Sequence, residues 1–96
     1  MSARLPKNPT PPGKMLVEEF LKPLGLTQVA FAEHLGVSFK RINEIANGRR
    51  AITPETAWLF SQAFGNSPQF WMNLQTTYDL VRQQTARRVK RVKASV

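Results

Sequence analysis

Hydrophobic residues recur along this chain at helical spacing in five stretches, each bracketed by residues that start and stop helices. From about Lys14 to Leu21, Leu16, Val17, Phe20 and Leu21 face inward while Lys14, Glu18 and Lys22 stand at i, i+4 spacing on the wet side, and Pro23 with Gly25 ends the run. Thr27 is the next N-cap, and Phe31, Ala32 and Leu35 form a buried stripe that Gly36 stops. Only Val37 separates this stop from a further cap, Ser38, so the turn is very short. The helix from Ser38 to about Ala46 buries Ile42 and Ile45, spreads Phe39, Lys40, Arg41, Asn43 and Glu44 over its other faces, and ends at Asn47 and Gly48. A loop, Gly48 to Ile52, leads to Thr53 as cap with Pro54 at the first helical position; Ala57, Phe60 and Phe64 face the core before Gly65. Ser67 and Pro68 repeat the device for a fifth helix that buries Phe70, Trp71 and Leu74 and continues through Tyr78 and Val81. The pattern predicts no strand and no internal repeat, so the fold class is all-α.

Two helices joined by three or four residues cross at roughly 90–120° and touch only where a small residue lets the backbones approach. Ala32 occupies that position. The outer face of the second helix is left projecting, and a single α-helix fits the major groove of B-DNA, where each base pair shows its own donor and acceptor pattern. Residues 27–48 therefore read as the helix-turn-helix of a DNA-binding protein. Turn, caps, small residue and apolar positions agree with one another, which favours this over an ordinary helical hairpin with a solvated outer face.

Ninety-six residues suffice for one small core, with no room for an enzyme-sized cleft. Fourteen basic against six acidic residues give a net charge of +8, which favours a polyanionic partner such as nucleic acid over an anionic membrane surface. The charge is uneven: Arg82, Arg87, Arg88, Lys90, Arg91 and Lys93 crowd the end of the chain with no acid, leaving +2 for residues 1–81. The tail is either a solvated end or an added contact, so the DNA reading rests on where basic groups sit in the motif. There is no cysteine, and no apolar run approaches the roughly 20 residues of a membrane span or the core of a signal peptide. A soluble, cytoplasmic protein is the expectation. Pro6, Pro9, Pro11 and Pro12 suggest an extended arm. The expected organisation is an arm over 1–12, a helix-turn-helix domain with a C-terminal dimerisation helix over 13–84, and a basic tail over 85–96.

The blocks PPGKMLVEEFLKPLGLTQ, FAEHLGV, RINEIANGRRAIT and FGNSPQFWMNLQTTYDL resemble the HigA branch of the Xre-like, lambda-repressor-like helix-turn-helix proteins. The resemblance runs from about Pro12 to Leu80, and RINEIANGRR and FWMNLQ are far more specific than a generic helix-turn-helix. It implies a five-helix fold, a homodimer, repression of its own operon, and a type II antitoxin role against a HigB toxin, an mRNA-cleaving protein of the RelE-like type. A stand-alone repressor of the same fold is the alternative. Nothing in the resemblance implies a cofactor or an enzyme.

Candidate DNA contacts fall into two classes. Gln28, at the start of the first motif helix, resembles the glutamine that braces a phosphate and the recognition helix in this superfamily. Ser38, Phe39, Lys40 and Asn43 occupy the N-terminal part or outer face of the recognition helix, where Lys40 can donate to guanine, Asn43 can pair with adenine and Phe39 can touch a thymine methyl or turn into the core. Arg41 either contacts DNA or pairs with Glu44 or an acid on a neighbouring helix. Asn47, Arg49 and Arg50 follow the helix and suit phosphate contacts, or are a solvated loop. One recognition helix covers few base pairs, so two-fold half-sites are needed, and the stripe Trp71, Leu74, Tyr78 and Val81 is the expected dimer interface, with a larger monomer core as the competing account. His34 has no second metal ligand at useful spacing, Glu18 and Glu19 point to different faces, and Trp58 and Trp71 read as packing or interface residues.

Overall fold

Four of the five helices begin where a hydroxyl oxygen accepts an otherwise unpaired amide of the first turn. Ala30 N donates to Thr27 Oγ1 at 3.0 Å, Arg41 N to Ser38 Oγ at 3.1 Å, Thr56 N to Thr53 Oγ1 at 3.3 Å and Phe70 N to Ser67 Oγ at 3.1 Å. In the computed structural model, which describes residues 5–93, these caps open α2 (Gln28–Leu35), α3 (Phe39–Ala46), α4 (Pro54–Phe64) and α5 (Pro68–Arg82). The first four residues of the expected arm and the last three of the expected tail lie outside the described residues. No strand occurs among the described residues. The turn between α2 and α3 is closed by Gly36 at φ 75°, where Gly36 N donates to Glu33 O and Val37 N to Ala32 O at 3.0 Å. A side chain would strain that left-handed residue, and the paired bonds form the Schellman closure that lets α3 start two residues later.

The first helix, α1, begins earlier than its pattern predicts. It runs from an α-turn, Pro12–Met15, through a π-wound stretch, Leu16–Leu21, to a closing turn, Lys22–Leu24. Pro12 belongs to the helix and not to the arm, because at the first helical position its missing N–H removes no bond. Pro23 sits inside the last turn and does not end the helix. In α-geometry its ring would crowd the carbonyl four residues back; the chain is wound wider here, with Lys22 N donating to Val17 O, five residues back, and Gly25 supplies the stop.

All five helices and one loop contribute to a single core of Leu16, Leu21, Phe31, Ala32, Ile42, Ile45, Ile52, Ala57, Phe60 and Trp71. Aromatic rings fill its centre. Trp71 meets Phe60 edge-on at 5.0 Å, Phe31 stacks on Phe64 at 5.0 Å, and Phe20 packs on Trp71 at 5.1 Å. Trp71 is 0% exposed, with its indole N–H donating to Asn66 Oδ1 at 3.0 Å, so it is not part of a dimer face. The helical stripe on α5 was too coarse to separate this core residue from its outer neighbours Leu74, Tyr78 and Val81, which are half-buried. Trp58, by contrast, is 58% exposed. Beyond Arg82 the chain has no regular structure and is exposed to Lys93.

The start of α1 is held against the end of α3. A Cβ on Gly13 would land on the carbonyl oxygen of Ile45 and 2.7 Å from that of Ala46. Both are backbone atoms and cannot yield as a side-chain tip can. Gly13→Ala should therefore lower stability by about 1–3 kcal/mol, the usual range for overpacking, read as a lower urea midpoint at unchanged slope.

Candidate nucleic-acid interface

Burial of Ile42 and Ile45 fixes which way α3 faces. These two side chains, each 1% exposed, anchor one side, and Phe39, Lys40, Asn47, Arg49 and Arg50 come to the surface on the other side and in the loop beyond. Phe39 is 47% exposed at the first helical position, so it stands outside the core. Ser38 is exposed, and the lone pair it gives to Arg41 N leaves its hydroxyl proton free to donate outward.

Polar side chains tie this helix to its neighbours. Asn43 Nδ2 donates to Gln28 Oε1 at 3.0 Å, joining α3 to the start of α2, and Asn47 Nδ2 donates to Asn43 Oδ1 at 3.2 Å. Gln28 keeps its own amide N–H groups free, while Asn43 is half-buried with both of its polar atoms engaged. These bonds use one N–H and one lone pair of the Asn43 amide and give it a bracing role; its second N–H and second lone pair are the ones an adenine contact would use. Arg41 forms an interhelix pair: its Nη2 donates to Glu55 Oε1 at 2.7 Å and to Thr56 Oγ1 at 2.7 Å on α4. Its side chain is mostly buried, which ties α3 to α4 with a charge-assisted bond.

Glu44 is taken by Arg50, whose Nε and Nη2 both donate to Glu44 Oε1, at 3.0 and 2.8 Å. Among the basic groups of this face, two are thus matched by acids. Lys40 and Arg49 take part in none of the ion pairs among the described residues. Their charges are the ones on this face that no acid pairs among the described residues.

The loop that carries Arg49 and Arg50 is pinned by a residue that the sequence reading missed. Ile52 N donates to Gln75 Oε1 at 2.7 Å, and Gln75 Nε2 donates to Asp79 Oδ1 at 2.9 Å, so a buried amide holds the loop onto α5 with both ends satisfied. The available signal was position: Gln75 lies four residues after Trp71, on the apolar stripe of α5, where a polar residue needs a partner.

Among the described residues no three His, Asp or Glu side chains gather as metal ligands, and no helix is long and apolar enough to cross a membrane. A short helix held by its inner face and presented by its outer one, after a three-residue turn from a partner helix, defines a helix-turn-helix domain. The family model described as helix-turn-helix matches residues 17–71. Virulence-associated protein I of Dichelobacter nodosus is 48% identical over 83 residues, 83% of this chain and 77% of that protein. Antitoxin HigA-1 of Vibrio cholerae serotype O1 is 39% identical over 74 residues, 77% of this chain and 70% of that protein. The solved structure of Pseudomonas aeruginosa antitoxin HigA with the higBA promoter superposes with a TM-score of 0.76 at 37% identity, covering 78% of this chain and 82% of that one. The chain belongs to the HigA branch of the Xre-like helix-turn-helix family, whose members are DNA-binding regulators and not enzymes.

Replacing Gln75 by Leu would leave the Ile52 N–H buried without an acceptor. A stability loss of about 1–3 kcal/mol is expected, together with faster hydrogen exchange at the Ile52 amide than at amides of α2.

Proposed function

We propose that this chain is the antitoxin of a type II toxin–antitoxin module: a homodimer that represses its own operon and that binds and neutralises an mRNA-cleaving toxin of the RelE-like, HigB type. The observation that carries the DNA half is the outer face of α3, where Phe39 and Lys40 are exposed at the N-terminal end of a helix braced by Gln28 through Asn43. Lys40 and the Ser38 hydroxyl supply donors for base edges and Phe39 an apolar contact for a thymine methyl. Arg49, Asn47 and the free amide of Gln28 supply phosphate contacts that set the register. Arg50 joins them if a phosphate displaces Glu44.

Two copies are required for a site long enough to be specific, with half-sites about 34–36 Å apart on a palindromic operator. Leu74, Tyr78 and Val81, half-buried on α5, are the apolar surface proposed for that dimer; the arm borders it, with Pro6, Pro9 and Thr10 beside Leu74 and Leu5, Pro6 and Lys7 beside Val81. The promoter-bound HigA of Pseudomonas aeruginosa supports the operator half of the reading. Kinship with antitoxin HigA-1 supports the toxin half. With DNA and an mRNA-cleaving enzyme as partners, the protein acts in the cytoplasm.

Co-expression with the adjacent reading frame, followed by pull-down and a growth assay, tests the toxin half. A stable complex that restores growth is expected; promoter binding with neither complex nor rescue would leave a stand-alone repressor. For the DNA half, Lys40→Ala should cost roughly 1–3 kcal/mol of binding and relax the base preference. Arg49→Ala should instead weaken all sequences alike and lower the slope of log K against log salt by about one, in the same binding assay.

A further inference from the structure

The most strongly charged segment of the chain has no part in the function proposed above. Arg87, Arg88, Lys90, Arg91 and Lys93 lie within seven residues that contain no acid, all are exposed, and none joins an ion pair among the described residues. Continuing α5 through them would set Arg87 against Lys90 and Arg91, Arg88 against Arg91, and Lys90 against Lys93 at i, i+3 and i, i+4 spacing, where like charges repel. The helix stops at Arg82, although no proline or glycine follows it.

Where the segment leaves the fold gives it a role. Arg82 lines a cleft of about 150 Å³ together with Gly48, Arg49 and Arg50, between the end of α5, the loop after the recognition helix and the start of α1. The Arg82 guanidinium lies over the Tyr78 ring at 5.1 Å from its centre. The tail therefore departs beside the loop assigned to phosphate contacts, and its charges extend the positive surface that Arg49 begins. From Arg82 to Lys93 is eleven residues. Extended, they reach at most about 36–40 Å, comparable with one turn of B-DNA at about 34–36 Å.

We propose that the tail is a second DNA contact, whose guanidinium and ammonium groups bind backbone phosphates flanking those reached from Arg49, without reading sequence. The inference rests on the DNA-binding reading above. Phosphate neutralisation releases condensed counterions, so such a contact raises affinity for every duplex and shows itself in the salt dependence. Val89 and Val92 are exposed between the charges, so the competing partner is an anionic membrane surface, into which they would insert.

The test is the full chain with Arg87, Arg88, Lys90, Arg91 and Lys93 each changed to Gln, compared with wild type and with Lys40→Ala. Fluorescence anisotropy follows binding to a duplex of about 30 base pairs from the promoter of the chain's own operon and to a shuffled duplex, across a salt series. The five-Gln variant should bind both duplexes roughly tenfold or more weakly at low salt, with a salt slope reduced by about four to five and an unchanged ratio between them. Lys40→Ala should change that ratio and leave the slope nearly intact. A five-Gln variant with the wild-type slope overturns the tail contact while leaving the recognition helix standing. Wild-type protein that binds neither duplex sinks the DNA reading itself, and the tail contact with it. Sedimentation with phosphatidylserine vesicles that depends on the tail, combined with a wild-type DNA slope in the variant, overturns the proposal in favour of a membrane surface.

Discussion

An isolated helix shorter than about 12–15 residues is marginal in water, and α3, the helix proposed to meet DNA, has eight. Its order comes from what it is fastened to. Ile42 and Ile45 sink one side into the aromatic core, Asn43 ties it to α2 through Gln28, Arg41 ties it to α4 through Glu55 and Thr56, and Gly13 brings the start of α1 onto its last carbonyls. Every one of these attachments lies on the inner side or the flanks. Phe39 and Lys40, at the start of the helix, are left outward with their side chains uncommitted, which is the condition for a surface that is both rigid and free to bind.

The same attachments sort the charges. Arg41 and Arg50 are matched by Glu55 and Glu44, so the outer face of α3 and the loop after it carry their unpaired positive charge at Lys40 and Arg49, one at the start of the helix and one in the loop. The net +8 of the chain is mostly elsewhere, in the exposed segment after α5. On the proposed reading, the few fixed groups on α3 and the charged run after α5 would serve the two free-energy terms of protein–DNA binding, base contacts and counterion release.

Local signals were legible in the sequence because they are made within a turn of chain. Thr27, Ser38, Thr53 and Ser67 cap as their positions predict, and Gly36 and Gly65 stop the helices they follow. Signals that depend on a neighbour far along the chain were not. Pro12 and Gly13 look like the end of a proline-rich arm until α3 is set against them. Trp71 and Trp58 look equivalent by residue type, yet one fills the core and the other stands 58% exposed, because α4 and α5 turn them to opposite sides. Asn43 and Arg41 sit on the polar side of a helix whose flanks are occupied by α2 and α4, and only the packed structure shows which neighbours they brace it against. Gln75 is the reverse case, a polar residue on an apolar stripe whose partner, the Ile52 amide, lies 23 positions away.

The central claim is that the outer face of α3 and the loop after it form the DNA interface. Backbone amide shifts of isotope-labelled protein, titrated with the promoter duplex of its own operon and with a shuffled duplex, test it most directly. Shifts concentrated at residues 28, 38–43 and 47–50, with those at 38–43 larger for the promoter than for the shuffled sequence, are the predicted result. Promoter-dependent shifts centred instead on the exposed face of α4 around Trp58, with residues 38–43 unmoved, would contradict it.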